Sequence, residues 1–79
     1  MNSSLPLYQL EVGQKGRVFS INASGQTRRR FLDLGIIPGT VIESLYRSPF
    51  LDPTAYCIRN SVIALRQEDA SLILIERVD

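Results

Sequence analysis

Histidine and tryptophan are missing from this chain, and cysteine and methionine each occur once. Without histidine the most common general base, the Ser-His and Cys-His dyads and every imidazole metal site are excluded. The one cysteine, Cys57, has no partner for an internal disulfide, and an unpaired thiol suits a reducing compartment, so the cytoplasm is the expected location. No GxxxxGK[ST] or GxGxxG string occurs, which excludes the common routes of nucleotide binding. Long apolar runs are missing too. The longest purely aliphatic stretch, residues 72–75, is far too short to span a bilayer, and the opening residues lack the basic and apolar regions of a secretory leader. Any connection to a membrane is therefore expected to run through a partner. Nor is there an excess of charge: nine basic residues against eight acidic ones leave a net +1, far from the surplus typical of non-specific nucleic-acid binders.

What remains is a 79-residue chain, 44% hydrophobic and 22% charged, which is ordinary globular composition in a length that holds one core. A single domain over residues 1–79 is expected, without linker, repeat or low-complexity tract. Leu7 and Leu10, three apart, suit a helical turn that pins the N-terminus to the body, and Gly13 and Gly16 are read as bracketing a turn before a strand at 17–23. Thr27 reads as the cap of a two-turn helix, with Arg28, Arg29 and Arg30 in its first turn. Phe31, Leu32 and Leu34 form its apolar side, Gly35 the stop, and Pro38 follows. A strand at 40–47, a loop at 48–53, and runs at 54–59 and 62–66 joined through Asn60-Ser61 as a hairpin come next. A polar turn at 67–71 leads to a last strand at 72–78, whose inward face is either Leu72 and Leu74 or Ile73 and Ile75. About five short strands and one short helix cannot bury both faces of an open sheet, so the pattern predicts a mainly β, SH3-like barrel closed on itself.

The string Arg28-Arg29-Arg30-Phe31-Leu32-Asp33-Leu34-Gly35-Ile36-Ile37-Pro38-Gly39-Thr40, followed by Pro49, Asp52-Pro53 and Ala64-Leu65-Arg66, closely resembles the FeoA family. The resemblance runs over residues 7–76. It implies an SH3-like barrel and a role in the cytoplasm beside FeoB, the membrane GTPase that carries Fe(II). The chain departs from the family pattern at Leu51 and Asn60, where glycine is common. A leucine at positive φ costs on the order of 1–2 kcal/mol. Either the loop around residue 51 takes another path here, or the position never needed the glycine.

No catalytic residues, no metal ligands and no cofactor are assigned. Glu68 and Asp69 are the one close acidic pair and are read as a solvated turn, while Cys57 with Asp52 or Glu43 is too sparse a donor set and reads as a small hydrophobe on a strand. Leu34, Gly35, Pro38, Gly39, Asp52, Pro53, Leu65 and Arg66 are read as residues that define the fold. Two features are read as surfaces for a partner. Arg28, Arg29 and Arg30 at a helix N-terminus oppose the macrodipole, at about 0.3–1 kcal/mol each, and suit an acidic surface or a phosphate. Phe50 and Leu51 sit between two prolines, either tucked onto the barrel or offered as an apolar anchor. The function these features predict is a non-catalytic adaptor or regulator of ferrous iron uptake that binds the FeoB-type transporter. The alternatives are a small-barrel nucleic-acid binder, or a stand-alone regulatory module like that of metal-dependent repressors.

Overall fold

The computed structural model describes residues 4–78. A short strand β1 (Ser4–Pro6) and a 3-10 turn (Leu7–Gln9) lead into β2 (Lys15–Ile21), helix α1 (Gly25–Asp33) and β3 (Val41–Arg47). The hairpin of β4 (Thr54–Ile58) and β5 (Ser61–Leu65) follows, then a short helix α2 (Gln67–Ala70) and β6 (Ile73–Val78). The strands form one antiparallel sheet in the order β1-β6-β2-β3-β4-β5. Among the described residues there are six strands where about five were expected, and β1 and β5 do not pair, so the sheet is open along one seam. The sheet is interrupted twice. The register shifts between Val18 and Ser20 and again between Ser44 and Tyr46, leaving Phe19 and Leu45 as extra residues that bend β2 and β3.

The predicted turn at the N-terminus is present, and Leu7 and Leu10 are both fully buried. They join Phe31, Ile36, Ile42, Tyr56, Ile58, Ile73 and Ile75 in one continuous core. Ile73 and Ile75 thus form the inward face of β6, settling the choice that alternation alone left open. Gly16 belongs to β2 rather than to a turn. A Cβ there would lie 2.6 Å from Ile75 Cδ1, so the site requires the missing side chain for close packing of the two strands. Ser44 is the one polar exception of note: its hydroxyl is buried opposite Tyr56 and has no hydrogen-bond partner among the described residues.

Helix α1 starts earlier than expected. Ser24, not Thr27, is the N-cap residue, in extended conformation and without a side-chain cap bond. The C-terminus follows the predicted stop: the amide of Gly35 donates to the carbonyl of Leu32 (3.0 Å) and that of Ile36 to Phe31 (2.8 Å). These are the paired bonds of a Schellman motif, with Gly35 at φ 86° and the apolar contact supplied by Ile36 and Phe31, both fully buried. The Thr40 hydroxyl donates to the Gly35 carbonyl (3.0 Å), and the Gly39 amide donates to Val18 (2.8 Å), which ties the helix exit to the sheet. The β4–β5 turn lies one residue before the predicted place. Arg59 and Asn60, at φ 51° and 67°, are its central residues, the left-handed pair that a two-residue hairpin demands.

Candidate functional site

The shifted start of α1 changes the meaning of its arginines. Gly25, Gln26 and Thr27 fill the first turn, Arg28 begins the second, and Arg30 lies in the last turn, where a cation favours the macrodipole. The expected opposition to the helix dipole therefore does not hold. The three side chains also divide. Arg30 pairs with Asp69 of α2, and its guanidinium stands 5.7 Å from the Phe31 ring centroid, so part of it serves the fold. Arg28 and Arg29 are exposed with no recorded side-chain partner among the described residues. Arg29 lines a shallow groove with Gly25, Gln26 and Asp33. Asp33, three and four positions from Arg30 and Arg29, makes no ion pair among the described residues; Arg30 turns instead to Asp69.

The β3–β4 loop projects its apolar pair. Phe50 is 89% exposed and Leu51 68%, with Tyr46 nearby in sequence at 60%. The tip is nevertheless held. Leu51 N–H donates to the Ser48 carbonyl (2.8 Å), the Ser48 hydroxyl to the Asp52 carbonyl (2.7 Å) and the Ser48 amide to Pro53 (3.0 Å). The Asp52–Pro53 peptide is cis. Leu51 adopts φ 68°, so the loop does demand the left-handed conformation and leucine occupies it, against both expected alternatives.

One residue from each segment, Arg30 and Asp52, reaches α2, a helix that reading the sequence as a polar turn missed. Asp52 Oδ1 accepts from the Gln67 amide (2.8 Å), capping α2 from fifteen positions upstream in place of its own N-cap residue, Arg66. Asp69 of the same turn pairs with Arg30. Glu68 and Asp69 in a first turn right after a strand are the available signal for a short helix. Leu65 and Ala70, both buried, anchor the two ends of this segment. Beneath the loop, Tyr56 is buried, and that burial raises its pKa above the ordinary tyrosine value. A hydrogen bond with Thr54 and the charge of Arg47 act in the opposite direction, while Asp52 adds to the rise.

The remaining candidate chemistry is thin. Cys57 faces Glu43 across β3 and β4 beside Lys15 and Arg59, but Asp52 is engaged at α2. Among the described residues there is no cluster of three or more His, Cys, Asp or Glu able to hold a metal. No described helix is long and apolar enough to cross a membrane.

The sequence pattern of the FeoA domain matches residues 5–77. The chain is 31% identical over 72 residues to a Fe(2+) transport protein A/Fe(2+) transporter FeoB fusion protein of Porphyromonas gingivalis, a match covering 91% of this chain and 8% of that relative. The solution structure of a FeoA-like protein from Clostridium acetobutylicum superposes with a TM-score of 0.89 at 32% identity, over 99% of this chain and 91% of that one. A zinc complex of Stenotrophomonas maltophilia FeoA, described as a procaryotic SH3 domain protein, shares the fold at a TM-score of 0.77 and 22% identity, over 87% of this chain and 86% of that one.

Proposed function

Since the chain belongs to the FeoA domain family, we propose that it is a non-catalytic adaptor of ferrous iron uptake, acting in the cytoplasm by docking onto a FeoB-type membrane GTPase transporter. The observation that carries this reading is the fusion relative, in which a region similar to nearly all of this chain belongs to the same polypeptide as a Fe(2+) transporter. Fusion holds two domains at high effective concentration, an arrangement that suits parts that work in contact. The contact surface has two elements. Arg28 and Arg29 offer exposed guanidinium groups to an acidic patch, and Phe50 with Leu51 offers an exposed apolar anchor on a hydrogen-bonded loop. Arg30 is not counted with them, because it is committed to Asp69. Iron is the transporter's cargo here and needs no ligand from this chain.

The test is binding of the purified domain to the soluble GTPase domain of the cognate transporter, with and without guanine nucleotide. Arg28→Ala/Arg29→Ala and Phe50→Ser variants are run alongside. Loss of binding by at least about tenfold in either variant, with the fold intact, is the expected result. Unchanged binding in both would remove the surface. A salt-sensitive shift with short oligonucleotides, lost in the arginine variant, would favour a nucleic-acid partner instead.

A further inference from the structure

Strand β5 is an edge of the sheet. Its pairs with β4 run Ile58↔Ser61, Cys57↔Val62, Tyr56↔Ile63, Ala55↔Ala64 and Thr54↔Leu65. The first of these closes a two-residue turn and is a hydrogen-bonded pair, so alternation assigns Ser61, Ile63 and Leu65 to bonding with β4. Val62 and Ala64 then direct their N–H and C=O groups away from β4, and among the described residues no strand or loop takes them up. Natural edges are protected by charge, proline or a bulge. The β5 sequence, Ser-Val-Ile-Ala-Leu, has none of the three, and Val62 is 63% exposed. Beside the edge runs a groove of about 540 Å³, walled by Leu32, Asp33 and Gly35 at the end of α1 and by Ile58, Arg59 and Ile63 of the hairpin.

We propose that the β5 edge and this groove bind an extended segment of a partner protein, which adds to the sheet as a further strand, apolar at its centre and carrying a carboxylate at each end. Strand addition supplies affinity through main-chain bonds and specificity through side chains on alternate positions. Charge selects the occupant. Exposed Arg59 and Arg66 bound the edge, Asp33 lines the groove from the helix, and exposed Glu68 lies two positions past Arg66. A second copy of this chain is a poor match. Antiparallel pairing of Val62 with Ala64 of the other copy sets Asn60 opposite Arg66, and so brings Arg59 beside Arg66 at both ends. This surface shares no residue with the loop tip or with Arg28 and Arg29, and it stands independently of the transporter reading.

The probe is the acetylated, amidated peptide Asp-Thr-Val-Thr-Val-Thr-Asp, titrated into isotope-labelled protein, with the same peptide bearing lysine for aspartate as its counterpart. The expected result is slowed exchange of the Val62 and Ala64 amides, with the acidic peptide binding at least about tenfold more tightly than the basic one. Ala64→Pro, which removes an N–H that β4 does not use, should abolish the effect, and Arg59→Glu/Arg66→Glu should reverse the peptide preference even if the proline variant fails to fold. Equal binding of the two peptides, perturbation centred on Phe50 and Leu51, or a concentration-dependent dimer that Ala64→Pro dissolves would each overturn the proposal.

Discussion

Residues 34–39 and 48–53 are written in similar letters: the first carries three bulky aliphatic side chains, one proline and two left-handed glycines, the second two bulky apolar side chains, two prolines and one left-handed leucine, and each joins an element to a strand. Their fates are opposite. In the first, Gly35 takes φ 86° and Ile36 drops fully into the core against Phe31. In the second, a leucine takes φ 68° and both apolar side chains stand in solvent. The first segment is arranged for stability. The second keeps a conformation that glycine would adopt more easily and exposes surface that water disfavours, two costs that the proposed docking role would account for.

The contrast is broken most directly by Ile36→Ala, expected to lower unfolding free energy by about 2–5 kcal/mol in urea titration, while Phe50→Ser stays within about 0.5 kcal/mol of the parent. Comparable losses in the two would show the loop tip to be part of the core. Gly35→Ala should cost about 1–2 kcal/mol from its backbone alone. A Cβ at this position meets Arg59 Cδ at 2.3 Å, but that side chain is flexible and can yield. Leu51→Gly should do the reverse and gain about 0.5 kcal/mol, since relief of about 1–2 kcal/mol exceeds the entropy that glycine loses, about 0.5–1 kcal/mol. A loss on that substitution would mean that the leucine side chain stabilises the loop. The smallest effect near neutral pH comes from the loop's stem. Burial holds the Tyr56 pKa above its unfolded value near 10.0, so above that pH the unfolded chain releases a proton that the folded chain retains. The Tyr56 contribution to stability should therefore be constant below that point and be lost as pH rises through the folded pKa, with a shallower fall in Tyr56→Phe. An unchanged slope would place the phenol in solvent.

The two segments were also unequally legible in the sequence. The helix stop at Gly35 and the turn at Leu7 are local signals, and each was read in its right place. Arg30 with Asp69, and Asp52 with Gln67, are contacts between residues 39 and 15 positions apart, which no local pattern reveals. That is why α2 passed as a loop and the arginines as one surface. The hairpin turn was misplaced by one residue because Asn60 drew attention as the natural left-handed residue, while its left-handed neighbour proved to be Arg59 rather than an Asn, Asp or Gly. β1 is only three residues long, and it gains its strand character from β6. Exposure of Phe50 and Leu51 was undecidable from composition, because two prolines fix the ends of a loop and not the direction of its tip.

The extra residues Phe19 and Leu45 reset the alternation of their strands partway along. In β2, Val18 faces the core ahead of the interruption and Ile21 packs against it afterwards, positions that an unbroken strand would send to opposite faces. A strand slipped by one residue could bury the right side chains on one side of its bulge only by expelling them on the other. An error of alignment thus loses core burial on at least one side of a bulge, and the two bulges help to hold the short strands in one register.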